Sequence, residues 1–167
     1  MPTLTAARSK ETTGAVWSEI DLDTRTWKVP AERMKARVEH KVPLSDRAMQ
    51  LIEEALEGRQ VRGDERVFGV QSATALIRAL RDMGIGEDAT IHGFRSTFRD
   101  WAAEQTSFRE DIVEKALAHG AESETVAAYK RSDLFALRRD LMAAWAAFCG
   151  GENQDSDSKV VQLRQVS

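Results

Sequence analysis

The sequence of 167 residues holds one cysteine, Cys149, and one tyrosine, Tyr129. A single cysteine excludes an internal disulfide and suits a reducing cytosol. No apolar run is long enough to span a bilayer, and the opening "MPTLTAARSK" is too short and polar for a signal peptide. Three histidines and the cysteine, at positions 40, 92, 119 and 149, have no zinc-ligand spacing. There is no G-x-S-x-G elbow and no glycine-rich phosphate loop. These absences remove most common enzyme classes. The net charge of −3 gives no overall basic signature, which taken alone argues mildly against nucleic acid.

Distribution matters more than the sum. Residues 28–41, "KVPAERMKARVEHK", carry five Lys or Arg against two Glu, while the tail "GENQDSDS" is acidic. A basic patch on a near-neutral body is therefore allowed. With 42% hydrophobic residues the chain can build one well-cored globular domain. "GAVWSEIDLD" and "TRTWKVP", separated by the turn-like "DLDT", and then "HKVPL" read as a small antiparallel sheet, with Pro30 and Pro43 at strand ends or edges.

Helices follow. "SDRAMQLIEEALEG" starts at Ser45 and stops at Gly58. "SATALIRALRDMG" ends at Gly84, and "TIHGFRSTFRDWAAEQ" has Thr90 as a candidate cap. "REDIVEKALAH" and "SETVAAYKR" flank Gly120. "DLFALRRDLMAAWAAF" carries Leu134, Leu137, Leu141, Trp145 and Phe148 on one face. The expected class is α+β, mostly helical, with a three-stranded antiparallel sheet near the N-terminus and a disordered polar tail over 151–167.

The chemistry-bearing residues lie mostly in the helical half. His92 and Arg95, spaced i and i+3 near a helix start, share one face and can address one anion. Taken alone, H-x-x-R reads first as a solvated helix turn. His119 and Tyr129, ten positions apart, add two more groups suited to phosphate chemistry. Phe94, Phe98 and Trp101 recur at helical spacing and read as core. His40 reads as a surface or DNA-proximal residue.

"TIHGFRSTFRDWAAE", "LAHG" and "AAYKRSDLFALRRDLMAAW" closely resemble the catalytic domain of tyrosine recombinases, the phage-type and genomic-island integrases. "LTAARSKE…GAVWSEIDLD" resembles the family's first-arginine motif, with Arg8 as the catalytic arginine and Glu11 as its acidic companion. "VPAERMKARVEHKVPLS" resembles the hairpin bearing the catalytic lysine, which falls on Lys35. The resemblance runs from about Leu4 to Phe148, with its motifs in order. Lys10 stands where related motifs often carry glycine. Only seven residues precede Arg8, where the family supplies several helices and, before them, a DNA-binding domain that completes a clamp. The resemblance thus implies a truncated catalytic domain over 1–150, in which the stub "PTLTAA" holds Arg8.

In such enzymes a tyrosine attacks the scissile phosphodiester, giving a 3′-phosphotyrosyl link and a free 5′-hydroxyl. A second strand's hydroxyl then reverses the step, so neither ATP nor a metal is needed and no cofactor is expected. The resemblance makes Tyr129 the nucleophile and His92 its base. Arg8, Arg95 and His119 become donors to the phosphoryl oxygens, and Lys35 the acid for the leaving oxygen. Arg33, Arg37, Lys130 and Arg131 are candidate DNA contacts. Implied partners are double-stranded attachment-site DNA, a synaptic tetramer formed on it by chains monomeric when free, and DNA-bending or directionality proteins. No membrane is implied, and the setting is a bacterial or phage cytoplasm, at the nucleoid. The face of 134–148 either caps the domain or docks on a neighbouring protomer. Two rivals remain: a fragment that only binds DNA or a partner, and a type IB topoisomerase-like nicking and closing enzyme.

Overall fold

Alternation along two short strands sets the first layer. The computed structural model describes residues 1–69, 72–85, 90, 92–119 and 134–151. Strands β1 (Ile20–Asp21), β2 (Thr26–Val29) and β3 (His40–Pro43) form an antiparallel sheet in the order β1-β2-β3. On β2, Trp27 and Val29 point into the core while Lys28 between them points out. Opposite them on β3 stand Val42, His40 and Lys41 respectively. The outward Lys28 is met by Asp21 at 3.2 Å, which offsets the like charge of Lys41 across the pair.

Seven helices accompany the sheet among the described residues. They are α1 (Pro2–Thr5), α2 (Ser9–Thr13), α3 (Asp46–Leu56), α4 (Ala73–Asp82), α5 (Gly93–Gln105), α6 (Glu110–Ala116) and α7 (Phe135–Cys149). The expected helix signals act as read. Ser45 accepts from the Ala48 amide to open α3, and Gly58 turns with φ +67° just beyond its end. The Thr90 hydroxyl accepts from the Gly93 amide at 2.8 Å, so it caps α5 from two residues before His92. No helix among the described residues is long and apolar enough to cross a membrane.

Two buried clusters make the core. Trp27, Val29, Val42, Leu44, Met49 and Ile52 join the sheet to α3. Phe98, Trp101, Ile112, Val113, Leu141 and Trp145 join α5, α6 and α7. The stub α1 bridges them, with Leu4 in the first cluster and Ala6, just past its end, in the second. Trp145 sits 5.3 Å from Phe98 and 5.1 Å from Trp101 between ring centres, and its indole N–H donates to the Thr3 carbonyl at 2.7 Å.

Helix α7 packs against α1, α3, α6 and β3 of its own chain. Its buried stripe is Arg138, Leu141, Met142, Trp145 and Ala146, while Leu137 and Phe148 are left exposed. The expected face is therefore rotated by about one position. The reason is Arg138, which is 2% exposed and donates to the Lys41 carbonyl at 2.7 Å, with its guanidinium 5.4 Å from the Phe135 ring. A charged residue inside an apolar stripe is opaque to a hydrophobicity pattern. "SETVAAYKR", and the tail beyond Gly151 expected to be disordered, lie outside the described residues.

Trp145 holds the second cluster together, so Trp145→Ala should cost about 3–5 kcal/mol. Urea unfolding should show this as a lower midpoint at unchanged slope; a loss under about 1 kcal/mol would contradict the packing described.

Candidate active site

The site is assembled around the end of α6. After Ala116 the chain passes through Leu117 to Ala118, whose φ of +48° closes the helix as a glycine ordinarily does. The Ala118 amide donates back to Lys115 at 3.2 Å and the His119 amide to Glu114 at 3.1 Å. This closure leaves the next carbonyls without helical partners. Arg95 Nη2 donates to the Leu117 carbonyl at 2.6 Å, and Arg8 Nη2 reaches the Ala118 carbonyl at 3.5 Å. His40 lies close to the Ala116 carbonyl. Two guanidiniums thus rest on adjacent carbonyls at the negative end of a helix, which draws cations.

Arg95, in the first turn of α5, is 6% exposed. Its Nη1 donates to the Ala6 carbonyl, presented by a second left-handed alanine at the end of α1. Burial, and then the neighbouring charge of Arg8, pull its pKa down to about 10, against the opposing pull of Glu11 and Glu114. It is still protonated at neutral pH. Arg8 holds the N-cap position of α2, and the Glu11 carboxylate reaches back to it from the third helical residue. The Arg8 amide donates to Glu11 Oε2 at 2.8 Å and Nη1 to Oε1 at 3.0 Å. Glu11 is buried and Arg8 is 30% exposed, so the anchor is inside and the cation faces out.

His119 completes the group. Its Nδ1 lies 2.7 Å from Glu114 Oε2 and its Nε2 3.3 Å from Arg95 Nη2. A carboxylate accepts and a guanidinium donates, so the proton is assigned to Nδ1, and Nε2 presents its lone pair to Arg95. Glu114 is in turn held by Arg99 Nε at 3.0 Å.

Of the residues read from the sequence, the structure gathers Arg8, Glu11, Arg95 and His119 around the α6 terminus. His92 is exposed at the start of α5, one turn before the inward Arg95. Lys35 and Arg37 are exposed on the β2–β3 connection, Arg37 with a left-handed φ of +56°. Arg33 points inward, to the Glu19 carboxylate and the Glu11 carbonyl. Tyr129, Lys130 and Arg131 lie outside the described residues.

Two members of the cluster escape a reading by motif. Glu114 lies five residues before His119 and carries no signal of its own. His40, read as a surface or DNA-proximal residue, is half-buried near Arg8, Glu11 and Arg138. Strand alternation contained that signal, since His40 shares the inward face with Val42 and stands opposite Val29. Burial, then Arg138 and Arg8, push its pKa down to about 4, while Glu11 and the Ala116 carbonyl pull the other way.

Two outcomes follow from these charges. In the unfolded chain His40 takes up a proton near 6.5, whereas the folded chain resists until about 4. The unfolded state then binds more protons across that window, so stability rises with pH from about 4 to about 6.5, and this contribution is complete above it. Urea unfolding of His40→Gln across the window should show a flatter slope than wild type. Separately, an oxyanion that bridges Arg8 and Arg95 relieves their mutual repulsion. Phosphate at tenfold its dissociation constant should stabilise the fold by about 1.4 kcal/mol, a rise of roughly 4 °C in Tm. Arg8→Gln or Arg95→Gln should abolish the rise at matched ionic strength; a rise that survives both would place the anion elsewhere.

Comparison with known proteins agrees with the motifs. The family model described as the phage integrase family matches residues 3–134. The chain is 37% identical over 148 residues to Prophage integrase IntA of Escherichia coli (strain K12), covering 86% of this chain and 36% of that protein. It is 32% identical over 166 residues to Integrase of Enterobacteria phage P4, covering 86% and 37%. With Prophage integrase IntZ of Escherichia coli (strain K12) it shares 36% identity over 124 residues, covering 70% and 30%. The chain thus spans little more than a third of the length of the first two relatives. No solved structure matches it. With its family match covering most of the sequence, this chain belongs to the phage integrase family, the tyrosine recombinases that its motifs resemble.

Proposed function

We propose that this chain carries the catalytic centre of a site-specific DNA recombinase that integrates or excises DNA through a covalent link to Tyr129. The observation that carries the reading is the pair of guanidiniums, Arg8 and Arg95, held on neighbouring carbonyls beside His119. Phosphoryl transfer needs fixed positive donors where charge spreads over the non-bridging oxygens. Two guanidinium forks from separate parts of the chain supply that charge, and His119 packs beside Arg95.

The tyrosine Oη attacks phosphorus, and the bond from phosphorus to the 5′-oxygen breaks. His92 takes the phenol proton and Lys35 gives one to the departing oxygen. Exposure of both on the described surface suits groups that meet DNA only when it is bound. A 5′-hydroxyl of a second strand then attacks the phosphotyrosine and releases Tyr129, so the count of ester bonds is unchanged. Arg37, Lys130 and Arg131 would contact the flanking backbone. The implied partners are duplex attachment sites, three further copies in a synaptic complex, and DNA-bending or directionality proteins, acting at the nucleoid.

The second reading is a fragment that binds DNA or a partner without cleaving. A nicked suicide duplex carrying the attachment site separates the readings. A covalent adduct is expected from wild type and none from Tyr129→Phe. An adduct only from a longer protein containing this chain would favour the fragment. No adduct from either would contradict catalysis, and relaxation of plasmid lacking the site would point to a topoisomerase.

A further inference from the structure

The sequence reads Arg33 as a DNA contact, yet both of its terminal nitrogens are engaged inside the protein. It ends the one-turn 3-10 helix Ala31–Arg33, directly after β2. Its Nη1 meets both oxygens of the Glu19 carboxylate, and its Nη2 donates to the Glu11 carbonyl on α2. Glu19 is itself buried and accepts from the Trp27 indole at 3.0 Å. A continuous chain of contacts therefore runs from Trp27 in the sheet through Glu19 and Arg33 to Glu11. From there the Glu11 side chain grips both the amide and the guanidinium of Arg8.

Gly14 is a second, independent sign. Its φ of −97° is open to any residue, so backbone freedom does not explain a glycine there. Space does: a Cβ at Gly14 would lie 2.9 Å from Arg33 Nη2, 3.3 Å from its Cζ and 3.1 Å from the Lys10 carbonyl, so the guanidinium is its nearest neighbour. The end of α2 is kept bare where the guanidinium crosses it. On the other side of Arg33, Met34 is buried in the core and Lys35 is exposed immediately after it. One side chain thus ties the helix that presents Arg8 to the connection that presents Lys35.

We propose that Arg33 is a positioning residue that sets Arg8 and Lys35 relative to each other, an inference resting on the reading of this site as a strand-cleaving centre. A planar fork is required because one guanidinium serves a carboxylate and a carbonyl at once. Lysine keeps the charge but loses that geometry.

Arg33→Lys and Gly14→Ala test this from two directions, since the second leaves every charge in place and crowds the guanidinium where it crosses the end of α2. With a suicide duplex, both should slow adduct formation at saturating DNA, on the order of a hundredfold for a misplacement near 1 Å. Duplex affinity and its salt dependence should not change. A salt slope reduced by about one unit, with the saturated rate intact, would make Arg33 a phosphate contact and overturn the proposal. Hydrogen exchange at the Arg8 amide, bonded to Glu11, reads the same tie without catalysis. Faster exchange is expected in both variants, and unchanged protection would overturn it. Wild type that forms no adduct would sink the cleavage reading, while the exchange result still decides for or against Arg33. Loss of the folded state in both variants would make Arg33 a stability residue only and overturn its positioning role.

Discussion

The carbonyls at the end of α6 have no partners within their own helix, and the candidate site is built from the side chains that reach them. Leu117 and Ala118 offer neighbouring acceptors, and Arg95 and Arg8 take one each. The two arginines are 87 positions apart in sequence and arrive on different helices, so every element between them has to be correctly packed. The left-handed alanines Ala6 and Ala118 aim the carbonyls that make this possible. Left-handed backbone at a residue with a Cβ costs about 1–2 kcal/mol. Strain of that kind persists where the surrounding contacts over-determine it, and both cases here border the arginine pair.

Bringing two cations together demands compensation, and the cluster supplies it locally. Glu11 lies under Arg8 and Glu114 under His119, while the helix end adds partial negative charge. Neither carboxylate is placed between the guanidiniums as a direct bridge among the described contacts. Both support from behind, leaving the outward side of Arg8 available. His40 fits the same pattern: burial keeps it uncharged at working pH, so it lies against the cluster without adding a third cation.

The sequence made much of this legible, and the failures have identifiable causes. Short apolar-rich runs broken by a turn located the sheet, and Ser45, Gly58 and Thr90 announced helix ends through hydrogen-bonding and steric needs that are local. Arg8, Arg95 and His119 were found by motif. Polar residues whose partners are distant in sequence were misjudged. Arg33 looked like part of a solvated basic loop, yet Glu19 and Glu11 turn it inward. Arg138 rotates the buried stripe of α7 because a backbone carbonyl of β3 is there to receive it. His40 was assigned by its basic neighbours when the two-residue period of its own strand carried the better information.

On the proposed reading, Arg8 and Arg95 form one seat for a single phosphoryl group. A crystal structure of the chain grown with orthovanadate tests this most directly, since that anion mimics the charge spread of phosphoryl transfer. One anion is expected, with oxygens about 3 Å from both guanidiniums and with His119 beside it. An anion held by one arginine alone, or bound away from the end of α6, would contradict it.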